Sequence, residues 1–273
     1  VSLKLTLKQR YKTMQARTLV IGDVHGGLKA LIQVLDRCAY NIKKDNLIFV
    51  GDYVDGWPES AGVIDYIIKL KEQIKALKRN PDAIICIEGN HDGWLREFLT
   101  MGVAQVEWLQ NGGRTTLESY TTFLADNDND PRSLDAHRAF LTALHPYYVT
   151  NKDQAFVHAG CHRENGVGGT IPYLRVWDRN MWKQVLSGAK VNAHKEVFIG
   201  HTTTMANICK AHYPEADVIK PGDRIHVPMN RQNVWNVDTG GGWGGKLTIM
   251  DINTKEYWQS DFVKDLYPEA KGR

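Results

Sequence analysis

Four apolar runs rich in β-branched residues, Thr18 to Ile21, Leu47 to Val50, Ala83 to Ile87 and Glu196 to Ile199, each stop at a glycine joined to a polar residue. The endings are Gly22-Asp23, Gly51-Asp52, Glu88-Gly89-Asn90 and Gly200-His201. Short apolar runs without strict alternation read as strands buried on both faces, so each strand delivers a polar side chain at its C-terminal end. Stretches of helical period, Leu28 to Cys38 and Ala61 to Leu77, separate the first three runs, and strand-helix-strand-helix-strand implies a parallel α/β core. A more helical and polar section follows at about 94–145. Beyond it, further strands are expected at Gln154 to His158, Val234 to Val237, Leu247 to Ile252 and Tyr257 to Gln259. No Pro-, Gly- or Ser-rich linker and no repeat of fixed period divides the sequence, so 1–273 is expected to form one domain.

A chain of 273 residues with 42% hydrophobic and 24% charged residues has the means to bury a sizeable core and lacks the signature of disorder. Its 34 Lys and Arg against 31 Asp and Glu leave a net charge of +3, which indicates neither nucleic acid nor a membrane surface as partner. The four cysteines, Cys38, Cys86, Cys161 and Cys209, form no CxxC pair and are widely spaced, which points to a reducing cytoplasm. No run approaches eighteen apolar residues, and Val1 to Arg10 alternates Leu with Lys, Ser and Thr where a signal peptide would be continuously apolar. Neither export nor a membrane span is expected.

The strand-end residues carry the chemistry. Asp23 and His25 are two apart in Gly22-Asp-Val-His-Gly26, so in an extended segment both side chains leave one face and can reach one metal ion. Asp52, in Gly51-Asp-Tyr-Val-Asp55, ends the next strand, where a carboxylate's two oxygens could bridge two ions. Asn90 adds a neutral oxygen, and His158 and His201 add imidazoles. Oxygen and nitrogen ligands without a thiolate suit Mn, Fe or Zn in a reactive site better than a structural zinc. Two divalent ions facing only Asp23 and Asp52 keep an excess of positive charge that favours an anionic substrate, with phosphate the obvious anion.

In order along the chain, GDVHGG, GDYVDG, EGNHD, VHAG, GHT and VDTGG resemble the motifs of the phosphoprotein phosphatase family of metallophosphoesterases, in its phage and bacterial branch of lambda phage phosphatase and diadenosine tetraphosphatase. The resemblance runs from about Leu19 to Ile252 with the middle section unmatched. It implies an α/β fold, the calcineurin-like metallophosphoesterase sandwich of two mixed β-sheets flanked by helices. It implies that Asp23, His25 and Asp52 hold a first metal and that Asn90, His158 and His201 join Asp52 at a second. It also makes His91 the general acid on the leaving oxygen and Asp55 the carboxylate that orients its imidazole. The implied reaction is hydrolysis of a phosphomonoester, on phosphoprotein or small molecule, by a metal-bridging hydroxide, with Mn the expected metal. Alternatives are hydrolysis of dinucleoside polyphosphates or binding of phosphorylated ligands without catalysis.

Three residues depart from the family pattern. Gly56 stands where the protein phosphatases carry the Arg of GDxVDRG and Glu88 where many carry an Arg before GNHE, so two phosphate-clamping guanidiniums are missing, while Asp92 replaces the Glu of GNHE, a milder change also seen in phosphoesterase relatives. The segment Trp177-Asp-Arg179 resembles the Trp-x-Arg of the phage branch and makes Arg179 the candidate phosphate contact. Gly240 to Lys246 nearly spells a P-loop, but Leu247 fills the Ser/Thr position and a strand is expected next, so it reads as a tight turn near the site. Asp126, Asp128 and Asp130 alternate like a calcium loop, but Pro131 and His137 occupy the Gly and Glu positions, which leaves a solvated loop. Gly160 between His158 and His162 argues against a helical metal pair. Trp57, Trp177 and Trp243 adjoin motifs and are candidate pocket walls.

Overall fold

The computed structural model describes residues 16–204 and 226–273; Cys209 and the opening Val1–Arg10 segment lie outside the described residues. The first sheet has the order β10-β9-β1-β2-β3. Its parallel strands are β1 (Thr18–Ile21), β2 (Asn46–Phe49) and β3 (Ile84–Cys86), and β9 (Thr248–Asp251) and β10 (Tyr257–Gln259) add antiparallel to β1 and to each other. The second sheet has the order β4-β5-β6-β8-β7. Here β5 (Gln154–Phe156), β6 (Glu196–Ile199) and β8 (Val234–Asn236) run parallel, flanked by antiparallel β4 (Tyr148–Val149) and β7 (Met229–Arg231). Two mixed sheets flanked by helices form the α/β fold expected.

The two-residue side-chain period of the strands sorts the core into layers. Val20, Ile48, Ile85 and Met250 are paired across neighbouring strands of the first sheet. They pack in one buried cluster with Phe156 and Phe198 of the second sheet, whose rings stack at 4.7 Å and 7°. The alternate residues Leu19, Ile21, Leu47, Phe49 and Ile84 join the opposite cluster, under the helices Leu28–Arg37 and Ser60–Ala76. Behind the second sheet, Ala155, Val197, Ile199 and Val234 meet Met181, Trp182 and Val185 of the helix Asn180–Leu186. Both faces of each central strand are therefore dry, as their unbroken apolar sequences require. Phe198→Ala removes one half of the stacked pair at the centre of the inter-sheet layer and is expected to cost about 3–5 kcal/mol, read as a lower midpoint in urea unfolding.

Several strands end one or two residues before the apolar run does. Val50, Ile87, Val157 and Val237 still donate to the neighbouring strand, one residue beyond the end of the regular ladder. The middle section is helical, with Asn90–Met101, Arg114–Ala125 and Asp135–Thr142 as its main helices. Strands β4 and β7 have no counterpart in the sequence reading, because runs of two and three residues carry no periodic signal. No helix among the described residues is long and apolar enough to cross a membrane.

Candidate metal and catalytic centre

Six parallel strands, three from each sheet, hand their C-terminal residues to one rim: Asp23, Asp52, Asn90, His158, His201 and Asp238 follow β1, β2, β3, β5, β6 and β8. The turns that aim these side chains are strained. His25, Asp52, Asp55 and His201 take φ of 48°, 52°, 71° and 64°, a left-handed backbone that costs a non-glycine residue roughly 1–2 kcal/mol. Their backbones are tied down in compensation: His25 N donates to Asp52 O at 2.9 Å, and Asp55 N to Thr116 Oγ1 at 3.0 Å. The positive φ at His25 also corrects one step of the sequence reasoning. The strand stops at Ile21 and the chain turns at His25 and Gly26, so the two-residue period of a strand does not carry through to His25.

Asp52 lies at the centre of the cluster. Its Oδ2 is 3.5 Å from His25 Nε2, 3.4 Å from His158 Nε2 and 4.0 Å from His91 Nε2. Two groups of donor atoms share it, His25 with Asp52 and His91, and Asp52 with His158 and His201. Asn90 Oδ1 lies 3.1 Å from His158 Nε2. Asp23 belongs to neither compact group; its Oδ2 accepts the His201 N–H at 2.9 Å and its Oδ1 is buried without a hydrogen-bond partner.

The donor set suits metal ions. His25 Nδ1 donates to Val54 O at 2.9 Å, which fixes its tautomer and leaves Nε2 as a lone-pair donor, and His158 Nδ1 donates to Val50 O at 2.8 Å, which turns its Nε2 toward Asp52. His201 Nε2 is also buried without a partner. Burial, then His158 and Arg179, lower His201 to about 2, so its ring is neutral. Burial likewise holds His25 well below the usual imidazole range, with Arg273 adding to it. Burial and Asp238 push Asp23 well above the carboxylate range. Burial opposes ionisation of Asp52 too, yet His158 and His91 hold it well below that range. Against its burial, Asp52 raises His158 to about 9, so a cation there would take the place of a proton, while the buried carboxylates and the neutral rings of His25 and His201 are groups that a cation at their focus stabilises.

His91 is positioned by its own network. Its Nδ1 lies 2.6 Å from Asp55 Oδ2, which also accepts Trp108 Nε1–H at 2.7 Å, while Asp55 Oδ1 accepts the Thr116 hydroxyl at 2.7 Å. Asp55 is fully buried, and these partners satisfy both of its carboxylate oxygens. Gly113 lets Trp108 reach Asp55, since a Cβ there would fall 2.7 Å from the indole. Asp92, at the start of the same helix, accepts the N–H groups of Asp52, Tyr53 and Gly89 at 2.9, 2.9 and 2.8 Å, clasping the second and third strand ends together. Trp108, Thr116 and Asp238 escaped sequence reasoning. Asp238 alone had a legible signal, as the polar residue ending a strand in VDTGG. It is buried, accepts Gly240 N–H at 3.0 Å, and is raised to about 6 by its burial and by Asp52.

Arg179 lies at the rim, its Nη1 donating to His201 O at 3.2 Å and Thr202 Oγ1 at 3.1 Å. Glu88 pairs with Arg96. Trp177 stands between His201 and Trp94, at ring separations of 6.1 and 5.1 Å. Trp57 is instead a core residue, 1% exposed and stacked on Tyr267, and so is not a pocket wall. Trp243 is half exposed, with Arg273 over its ring. The glycines from Gly240 form a tight turn into β9, and a Cβ on Gly242 would collide with the His25 ring, so they pack the site rather than cradle a nucleotide. Asp130 caps the turn Pro131–Leu134 and pairs with Arg132, and His162 Nδ1 accepts from the backbone of Glu164 and Asn165.

The sequence from 16 to 219 matches the family model of the calcineurin-like phosphoesterases. This chain belongs to that family. Calcineurin-like phosphoesterases are metal-dependent hydrolases, which accords with the donor groups around Asp52. The chain is 22% identical to a symmetrical bis(5'-nucleosyl)-tetraphosphatase of Buchnera aphidicola subsp. Schizaphis graminum, over 90% of this chain and 97% of that one. It is 24% identical to serine/threonine-protein phosphatase 1 of Salmonella typhimurium, over 85% and 90%. A symmetrical tetraphosphatase of Pseudomonas fluorescens is 37% identical over 75 residues, a match that spans only 23% of its length and 28% of this chain. Among solved structures, a protein serine/threonine phosphatase from Saccharomyces cerevisiae superposes with a TM-score of 0.54 at 12% identity, over 92% of this phosphoesterase and 81% of the yeast chain.

Proposed function

We propose that this phosphoesterase hydrolyses phosphomonoesters, on phosphoprotein or small molecules, with His91 as the acid that protonates the leaving oxygen. The supporting observation is the 2.6 Å contact from His91 Nδ1 to Asp55, backed by Trp108 and Thr116. Such a fixed carboxylate orients the ring and leaves Nε2 as the nitrogen that faces the leaving oxygen. In this reading Asp23, His25 and Asp52 hold one divalent cation, and Asp52, Asn90, His158 and His201 hold a second. Mn is proposed, and Fe or Zn would also suit oxygen and nitrogen donors without a thiolate. Bound there, the cations would neutralise phosphoryl oxygens and activate water for attack on phosphorus.

The chain's own residues do the rest. Asp52 fixes His25 and His158 around one carboxylate and accepts the His91 N–H at 3.1 Å, so acid and ligands share an anchor. Arg179 is exposed at the rim, where His201 O and Thr202 hold Nη1 and, among the described residues, no carboxylate pairs with the guanidinium, which suits it to a substrate phosphate. A cytoplasmic setting is part of the proposal, supported by free buried thiols at Cys38, Cys86 and Cys161, which burial raises to about 11, 11 and 12. The test is a panel of phosphomonoester, phosphodiester and phosphopeptide substrates with Mn²⁺. Fastest turnover of the monoesters supports the reading, and turnover confined to diesters contradicts it.

An aromatic path favours a second reading, hydrolysis of dinucleoside polyphosphates. Tyr173, 65% exposed, stacks on Trp177, which meets Trp94, which in turn meets His91 at a ring separation of 5.0 Å. Such a wall beside the acid offers π-faces to a nucleobase. Product analysis with a dinucleoside tetraphosphate separates the two: rapid release of nucleotides supports this second reading, and inertness supports the first.

A further inference from the structure

We infer that Arg273 is a phosphate-positioning residue of this centre, passing its guanidinium from His25 to an oxygen of the bound phosphoryl group; the inference rests on the phosphoesterase reading above. Arg273 Nη1 lies 3.3 Å from His25 Nε2, the same lone pair that would hold a cation. The contact is built rather than incidental. The Arg273 N–H donates to Gly242 O at 2.8 Å, and the guanidinium lies over the Trp243 ring at 5.1 Å. Trp57, against which Gly272 packs, donates its Nε1–H to Gly241 O at 2.8 Å, so one glycine turn holds both the tail and the core. Gly56 completes the cradle: with φ of +124° it has no side chain, and a Cβ there would approach Arg273 Cγ to 3.2 Å. The place left bare in the GDYVDG segment is filled by an arginine distant in sequence.

Donor and acceptor counting then points to an anion. Arg273 Nε is buried without a hydrogen-bond partner, and among the described residues no carboxylate forms an ion pair with the guanidinium. His25 Nε2 has a single lone pair, so a cation bound there releases the arginine donor. The freed guanidinium would then face positive charge, an arrangement that an oxyanion between them relieves. A phosphoryl group has the oxygens that the guanidinium fork matches.

The experiment is calorimetric titration of inorganic phosphate into the Mn²⁺-loaded protein, comparing wild type, Arg273→Ala and Arg273→Lys, with metal content measured on each. Arg273→Ala is expected to weaken phosphate binding by about tenfold or more at unchanged metal content, and Arg273→Lys, which keeps the charge without the fork, by less. Equal phosphate affinity in wild type and Arg273→Ala would overturn the inference while leaving the phosphoesterase reading intact. Tighter phosphate or metal binding in Arg273→Ala would also overturn it, making the arginine an occupant of the site. A wild-type protein that binds Mn²⁺ but neither binds phosphate nor turns over an aryl phosphate would overturn both.

Discussion

Asp52→Asn is expected to lower kcat/KM on an aryl phosphate by about 10³-fold or more and to remove most of the bound metal. Both groups of donor atoms converge on this one carboxylate, with His25 and His158 within 3.5 Å of Oδ2. Asparagine preserves the shape, one oxygen and an acceptor for the His91 N–H, but removes the negative charge and one of two coordinating atoms. Metal ions contribute several kcal/mol to stabilising charge in phosphoryl transfer, and about 1.4 kcal/mol is tenfold in rate, so losing both reaches three orders of magnitude. Changing a residue proposed to serve one ion only, such as His201→Ala, is expected to cost less and to lose metal in part. Metal analysis and steady-state kinetics on the two variants decide it; equal small losses at both positions with full metal content would contradict the shared role.

His91→Asn separates an acid from a ligand by the chemistry of the leaving group. A donated proton matters most for a poor alkoxide leaving group, where general acid catalysis contributes about 10²-fold or more, and least for an activated phenolate. The variant is therefore expected to slow alkyl phosphates far more than aryl phosphates with good leaving groups, while holding as much metal as the wild type. His91 Nε2 lies 4.0 Å from Asp52 Oδ2, near enough to the centre that a ligand role is the real competitor. Loss of metal, or equal slowing of good and poor leaving groups, would assign His91 to that role instead.

The strand ends were legible because each pairs an apolar run with a glycine and a charged or imidazole residue, and both halves of that signal are local in sequence. Thus Asp52, His158 and His201, read from separate motifs, lie in one group of donor atoms. The supports of the centre were not legible. Trp108 and Thr116 reach Asp55 from the helical middle section, 53 and 61 residues away, and look like ordinary helix residues until the fold brings them in. Arg273 is 248 residues from His25. The residue type at Asp92 does not announce that its carboxylate ties three backbone N–H groups from two strand ends. The same-face argument for Asp23 and His25 assumed a continuing strand, and the sharp turn at His25 removes that assumption. Edge strands β4 and β7 escaped because their pairing is specified by the neighbours β5 and β8 rather than by their own sequence.

The central claim is that divalent ions held around Asp52 make this chain a phosphoesterase. The most direct measurement is aryl phosphate turnover by protein stripped with a chelator, verified metal-free by elemental analysis, then titrated with Mn²⁺. Activity is expected to vanish on stripping and to return with metal, reaching its plateau near two ions per chain, the two groups of donor atoms sharing Asp52. Full activity in the verified metal-free protein would contradict the account.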